Sequence, residues 1–339
     1  MARGRRLAAL PLAALAICIA APAAHAGIMS GGQYTANPGE ANQVTASYDG
    51  THVTIADSVP ITVPPEDLDP EAGGRCSQPS ANSVRCALDS ITLYLEDGDD
   101  SFSFAGPAPA RPAPSPGAEG VPLFWVNGGD GDDTLTGSPY GDGLHGSEKQ
   151  SGAPAVPGGV DRLVGGLGGD DLSDSDGSAN FIDGGQGNDS ISAYPVGARQ
   201  GPYGRNTVLA GGGNDSIIGG YGHDRLEGGA GRDRIKGSWG RDRVRGGSGN
   251  DNLDGGPERD VTDGGPGNDL VSAIQLGCGG PDTLIGGRGR DRFYVYCGRP
   301  TLLMRDRTRD SAMCLSGVTR GRIVADRADR LRGKCRRKR

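Results

Sequence analysis

The chain has 339 residues, of which 62 are glycine and only 5% aromatic, and its formal net charge is −7. So much glycine excludes a helix-rich core, because glycine costs about 1 kcal/mol per helical position relative to alanine. The modest net charge hides an asymmetry: aspartate fills the middle of the chain, whereas lysine and arginine crowd its last forty residues.

Residues 1–26 read as a signal peptide. Arg3, Arg5 and Arg6 make a basic start, an apolar run follows from Leu7 to Ala20, and Ala24-His25-Ala26 supplies small residues at the cleavage spacing. The mature chain is then expected to begin near Gly27 and to be secreted, outside the cell or at its surface. A membrane anchor is disfavoured because the run is short and Pro11 interrupts it; no membrane span is expected once the signal is removed. Six cysteines remain, Cys76, Cys86, Cys278, Cys297, Cys314 and Cys335. An even count in an exported chain favours disulfides, and sequence order suggests three local pairs.

Residues 27–127 form a β-rich N-terminal region with proline-rich loops. Gln43 to Tyr48 alternates apolar and polar residues, Asp49-Gly50 is a hairpin turn signal, and His52 to Ala56 returns. A proline-rich break spans Pro60 to Pro70, Cys76 and Cys86 bracket a small loop, and Ser90 to Leu95 is a further alternating strand. Residues 106–119, rich in proline and alanine, read as a loop or linker.

An internal nine-residue repeat occupies residues 128–294. From Ala210 seven units run in phase, starting at Ala210, Gly219, Gly228, Gly237, Gly246, Gly255 and Gly264; after an insert, two more start at Gly277 and Gly286. Less regular units start at Gly128, Gly137, Val156, Gly165 and Gly184. Most units read glycine, glycine, any, glycine, any, aspartate, any, apolar, any. The sixth position carries Asp133, Asp142, Asp161, Asp170, Asp189, Asp215, Asp224, Asp233, Asp242, Asp251, Asp260, Asp269, Asp282 and Asp291. The eighth position is apolar in every unit but one, where it is Thr262.

Such a unit buries little. One leucine or isoleucine contributes roughly 1.5–3 kcal/mol, whereas fixing nine backbones costs on the order of 9–18 kcal/mol. Backbone pairing between coils offsets part of the deficit, and something else must hold the turns. Glycines with positive φ let a tight turn point several carbonyl oxygens to one side, and the aspartate adds a carboxylate. Hard carbonyl and carboxylate oxygens suit Ca²⁺, which takes six to eight of them. All fourteen aspartates are therefore candidate metal ligands, with Ca²⁺ as the cofactor.

The motif in Gly246-Gly247-Ser248-Gly249-Asn250-Asp251-Asn252-Leu253-Asp254 resembles the RTX-type (hemolysin-type) calcium-binding nonapeptide repeats of secreted bacterial proteins. The resemblance implies an all-β parallel β-roll, a β-solenoid in which two repeats make one coil and calcium sits between repeats one coil apart. Carried over, Asp215, Asp233, Asp251, Asp269 and Asp291 line one edge, and Asp224, Asp242, Asp260 and Asp282 the other. With that coil spacing, Cys278–Cys297 would staple the last coil and Cys314–Cys335 would close the tail, beside Cys76–Cys86 in the N-terminal region.

Several units depart from the pattern. Ser238-Trp239 stands where the second and third residues belong, and Glu258 replaces a glycine in the unit that also carries Thr262, which is expected to bind weakly or not at all. Arginines flank Asp233, Asp242 and Asp291. They either face outward and moderate the acidity or pair with the aspartates and replace some calcium sites. Residues 295–339 read as a C-terminal cap and basic tail, since an open solenoid end exposes unpaired strand edges. The tail either contacts anionic cell-wall or matrix polymers or is a solvated end; nucleic acid is not expected, because no aromatic residues interleave with its charges. His25, His52, His145 and His223 lie in no zinc-protease motif, and there is neither a G-x-S-x-G elbow nor a phosphate loop. The expectation is a non-enzymatic calcium-binding roll. The alternatives are a cell-surface adhesin or matrix scaffold that uses the roll as a spacer and, further off, a calcium-dependent secreted hydrolase.

Overall fold

The computed structural model describes residues 27–69, 75–88, 90–106, 109, 123–147, 159–175, 178–194, 204–273, 281–296, 300–304, 306, 308–314, 322–325 and 329–333. The signal segment 1–26 and the pair Cys278–Cys297 lie outside the described residues.

Each repeat contributes one strand built on its seventh to ninth residues, because an x-apolar-x triplet can send one side chain inward and two outward. Among the described residues these strands and those flanking them stack into two fifteen-stranded sheets, and from Ile91–Tyr94 onward successive strands of the chain alternate between the two. Through the repeats, neighbours within a sheet run parallel, in register, and typically eighteen residues apart along the chain. The expected all-β parallel roll is therefore present.

The register brings the eighth positions of each sheet into line. One ladder runs Leu144, Leu172, Ile191, Ile217, Ile235, Leu253, Val271 and Phe293. The facing ladder runs Phe102, Leu135, Leu163, Ile182, Val208, Leu226, Val244, Thr262 and Leu284. All are at most 2% exposed, so the core is a double row of side chains with little behind it. Thr262 keeps its place in the row, fully buried, with a hydroxyl that has no hydrogen-bond partner.

The turns between sheets form two edges of different regularity. At the first edge the strands are six residues long and carry the pairing through the glycines, as in Gly211, Gly229 and Gly247. The strands that lead into the second edge are only three or four residues long, as in Ser216–Ile218 and Leu270–Ala273. Ser238 and Trp239 lie there: Ser238 takes φ +77°, and Trp239 stacks on Tyr221 with ring centroids 6.3 Å apart.

Glycine is required where coils touch. Gly249 has φ +136°, and a Cβ on it would lie 1.6 Å from the Gly231 carbonyl oxygen one coil earlier. Gly249→Ala should therefore cost more than about 1 kcal/mol, since alanine is incompatible with both the backbone angle and the contact; thermal melting in calcium checks this.

The coil starts ahead of the glycine-rich motif. Ser101–Phe104 and Phe124–Asn127 already pair in parallel with the first repeat strands. Before them the pairing becomes partly antiparallel. Gln43–Tyr48 and Val53–Ala56 form the hairpin that Asp49-Gly50 predicts, and Val53–Ala56 pairs in turn with Ser83–Cys86. Cys76 and Cys86 are joined by a disulfide across the last two strands of this end. Reversed strands finish the sheet edge and leave no continuing parallel register. At the other end Thr301–Met304, Ser311–Cys314, Arg322–Ala325 and Arg330–Gly333 extend both sheets. Cys314 is disulfide-bonded, and Cys335 lies outside the described residues. Among the described residues no helix is long and apolar enough to cross a membrane.

Candidate metal centre

The sixth residue of each unit closes the turn just before the strand, where its side chain points back into the roll. All fourteen predicted aspartates are at most 2% exposed. They stack in two columns. On the first edge the backbone N–H of each donates to Oδ1 of the aspartate one coil later, through Asp142, Asp170, Asp189, Asp215, Asp233, Asp251, Asp269 and Asp291, at 2.8–3.0 Å. The column continues into Asp310 and Asp329. On the second edge it runs Asn42, Asp100, Asp133, Asp161, Asn180, Asn206, Asp224, Asp242, Asp260 and Asp282. Asp260 stays in the column although its unit carries Glu258, which adopts φ +86°.

One oxygen of each carboxylate is thus fixed by a backbone donor. Oδ2 of Asp133, Asp170, Asp189, Asp215, Asp224, Asp233, Asp242, Asp251, Asp260, Asp269 and Asp291 is buried and accepts no hydrogen bond, and the same holds for Asp100 and Asp310. Asp142 differs, because the Ser138 N–H and Oγ donate to its Oδ2 at 2.5 and 2.8 Å.

A second oxygen crowds the same point. A Cβ built on Gly246 would lie 2.4 Å from Asp251 Oδ2 and 2.7 Å from the carbonyl oxygen of Gly264, one coil on. Gly128, Gly165, Gly228, Gly237 and Gly264 repeat this arrangement, each between its own unit's aspartate and the first carbonyl of the next coil. An acceptor buried without a donor costs about 1–3 kcal/mol, as much as a buried leucine contributes, roughly 1.5–3 kcal/mol. Each coil therefore carries a penalty at its edges comparable to the gain in its core unless something positive lies between these oxygens.

The electrostatics agree. Burial, opposed by the backbone hydrogen bond and reinforced by like-charged neighbours, pushes Asp133, Asp170 and Asp260 up to about 8. Asp242 also rises to about 8, Asp224 and Asp269 to about 7, and Asp233 and Asp291 to about 6, with burial the largest cause in each. The flanking arginines do not relieve this. Arg232, Arg234, Arg241, Arg243, Arg290 and Arg292 face outward, and none makes an ion pair with Asp233, Asp242 or Asp291. Of the two readings of these arginines, the geometry supports the outward-facing one.

Among the described residues no group of three or more His, Cys, Asp or Glu side chains gathers around a single point. A cation here would meet one carboxylate per coil together with backbone carbonyls. Such an all-oxygen set suits Ca²⁺ and excludes the N- and S-rich sites that zinc prefers.

Asp100, Asp310, Asp329 and the three asparagines in the columns lie beyond the residues marked out from the motif. Their common signal is a sixth-position Asp or Asn two residues before an inward side chain, as in Asp100-Ser101-Phe102 and Asn206-Thr207-Val208, without the paired glycines.

The isolating variant pair is Asp251→Asn and Asp251→Ala. Alanine also removes the Oδ1 that accepts the Asp233 N–H. In EDTA at pH 5, Asp251→Ala should destabilise by about 1–3 kcal/mol, whereas Asp251→Asn, which keeps that acceptor, should melt close to the parent.

No curated protein matches the chain. The family model for the RTX calcium-binding nonapeptide repeat matches in four copies, at residues 125–146, 203–235, 236–271 and 277–295. These segments hold many of the coils in which unsatisfied carboxylate oxygens meet the carbonyls of the next turn, and over them the chain carries RTX-type calcium-binding nonapeptide repeats.

Proposed function

We propose that this protein is a secreted, non-enzymatic calcium binder whose roll folds when Ca²⁺ bridges successive coils. The observation that carries this reading is the row of buried, undonated Oδ2 atoms, which at Asp133, Asp170, Asp233, Asp242, Asp251 and Asp269 lie beside the first carbonyl of the next coil. The ligating residues would be the fourteen sixth-position aspartates, extended by Asp100 and Asp310. The ion supplies positive charge between oxygens that otherwise repel, and binding free energy becomes folding free energy. Calcium is scarce in the cytosol, so the chain stays loose until export by the signal at 1–26. Circular dichroism during a calcium titration with chelator reversal tests the folding step, and N-terminal sequencing of the exported chain, expected to begin near Gly27, tests the route. Hydrolase screening of the calcium-loaded chain tests the enzyme alternative.

One feature favours a scaffold that also holds an anionic cell-wall or matrix polymer. Near the C-terminal end an open groove of about 570 Å³ is lined by Arg290, Arg292, Arg309, Arg330 and Arg332 around Tyr294. Retention on a polyanionic resin should be lost by about 0.5 M salt if these charges carry it, since the screening length falls below the groove's dimensions.

A further inference from the structure

The two columns are not equivalent. The first holds aspartate at every step from Asp142 to Asp329, whereas the second is interrupted by Asn180 and Asn206, which are 3% and 2% exposed.

These amides keep the column's backbone bonds. Asn180 Oδ1 accepts the Asp161 N–H at 2.8 Å, and Asn206 Oδ1 accepts the Asn180 N–H at 3.0 Å. The remaining arm of Asn206 differs in kind from an aspartate's. Its Nδ2 donates to the Gly219 carbonyl oxygen at 3.4 Å. Gly219 opens the next unit on that edge, so this carbonyl is the counterpart of the Gly264 oxygen beside Asp251 Oδ2. The orientation is fixed by its partners: a flipped amide would set a donor against the Asn180 N–H and an acceptor against the Gly219 oxygen. An N–H thus stands where the other coils have two facing oxygens.

We infer that Asn180 and Asn206 are built-in metal-free steps, and that at Asn206 a side-chain amide does the work of the cation. The second edge then carries two separate calcium ladders, Asp100 to Asp161 and Asp224 to Asp282, and the first edge carries one unbroken ladder. The inference rests on the calcium reading above and adds where the ions stop. It also gives the roll a joint, at Asn180–Asn206, where one edge closes without metal.

The test counts calcium by native mass spectrometry and isothermal titration on the full mature chain, with two reciprocal variants. Asn206→Asp should bind one ion more than the parent, and Asp224→Asn one fewer. In EDTA, Asp224→Asn should retain more β signal than the parent, and Asn206→Asp less. An unchanged count in Asn206→Asp, alongside the expected loss in Asp224→Asn, overturns the metal-free joint and leaves the ladder standing. Should Asn206→Asp fail to fold, Asp224→Asn still decides: a lower count without added β signal in EDTA contradicts the claim that an amide can replace the ion. A parent chain that binds no calcium overturns the calcium reading itself.

Discussion

In EDTA at pH 8 the mature chain is expected to lose most of its β spectrum and to expand, and millimolar Ca²⁺ should restore both. The size of the effect follows from the number of coils. One site held at a hundred times its dissociation constant contributes about 2.7 kcal/mol, whereas a whole domain is stable by about 5–15 kcal/mol. A handful of sites therefore exceeds the total margin, and the columns contain many more. The core offers no reserve, because each coil adds only two inward side chains, such as Ile235 and Val244. The N-terminal end, with its antiparallel hairpins, larger core residues and the Cys76–Cys86 bond, should lose structure last. Hydrogen exchange in chelator reads that order. A small-angle scattering profile in EDTA that matches the one in calcium would refute the expectation.

Acid should partly replace the metal. Burial raises Asp170, Asp242 and Asp260 from 3.8 to about 8 in the folded chain. Between those values the folded state binds protons that the unfolded state has released, so metal-free stability falls as pH rises. The metal-free roll is therefore favoured near pH 4–5 and lost as pH climbs through 6 to 8. A protonated Oδ2 can donate to the carbonyl of the next coil, as the Asn206 amide does to Gly219. Calcium must displace those protons, so affinity runs the other way. At the sites near 8 it should increase about tenfold per pH unit between pH 6 and 8. At Asp233 and Asp291, raised only to about 6, it should be nearly flat above pH 7. Titration calorimetry in buffers of different ionisation enthalpy reads the released protons directly; zero release at pH 7 would contradict the burial argument.

Much of this was legible in the residues because the repeat states its geometry twice, in the paired glycines and in the apolar residue two places after the aspartate. Counting the insert before Asp282 and Asp291 was enough to divide the repeat aspartates between two edges. What stayed hidden lies where the coil persists without glycine. Asp100-Ser101-Phe102 and Asp310-Ser311-Ala312 retain the aspartate and the inward residue, yet their turns lack the Gly-Gly pair that announces a unit. The continuity of Ser101–Phe104 and Phe124–Asn127 with the roll was hidden for the same reason. Asn180 and Asn206 read as unremarkable polar residues in one dimension; only the register shows that they stand in the aspartate column. The unit of Glu258 and Thr262 departs from the pattern in sequence, and its backbone is held in the column by Asp242, Asp260 and Asp282.

An anomalous difference map from crystals grown in calcium addresses the central claim without an intermediate. Peaks are predicted in rows along both edges, each about 2.3–2.6 Å from an aspartate Oδ2 and from a carbonyl of the adjacent coil, with a gap beside Asn206. Edges that hold only water, with the Oδ2 atoms satisfied by hydrogen bonds, would contradict it.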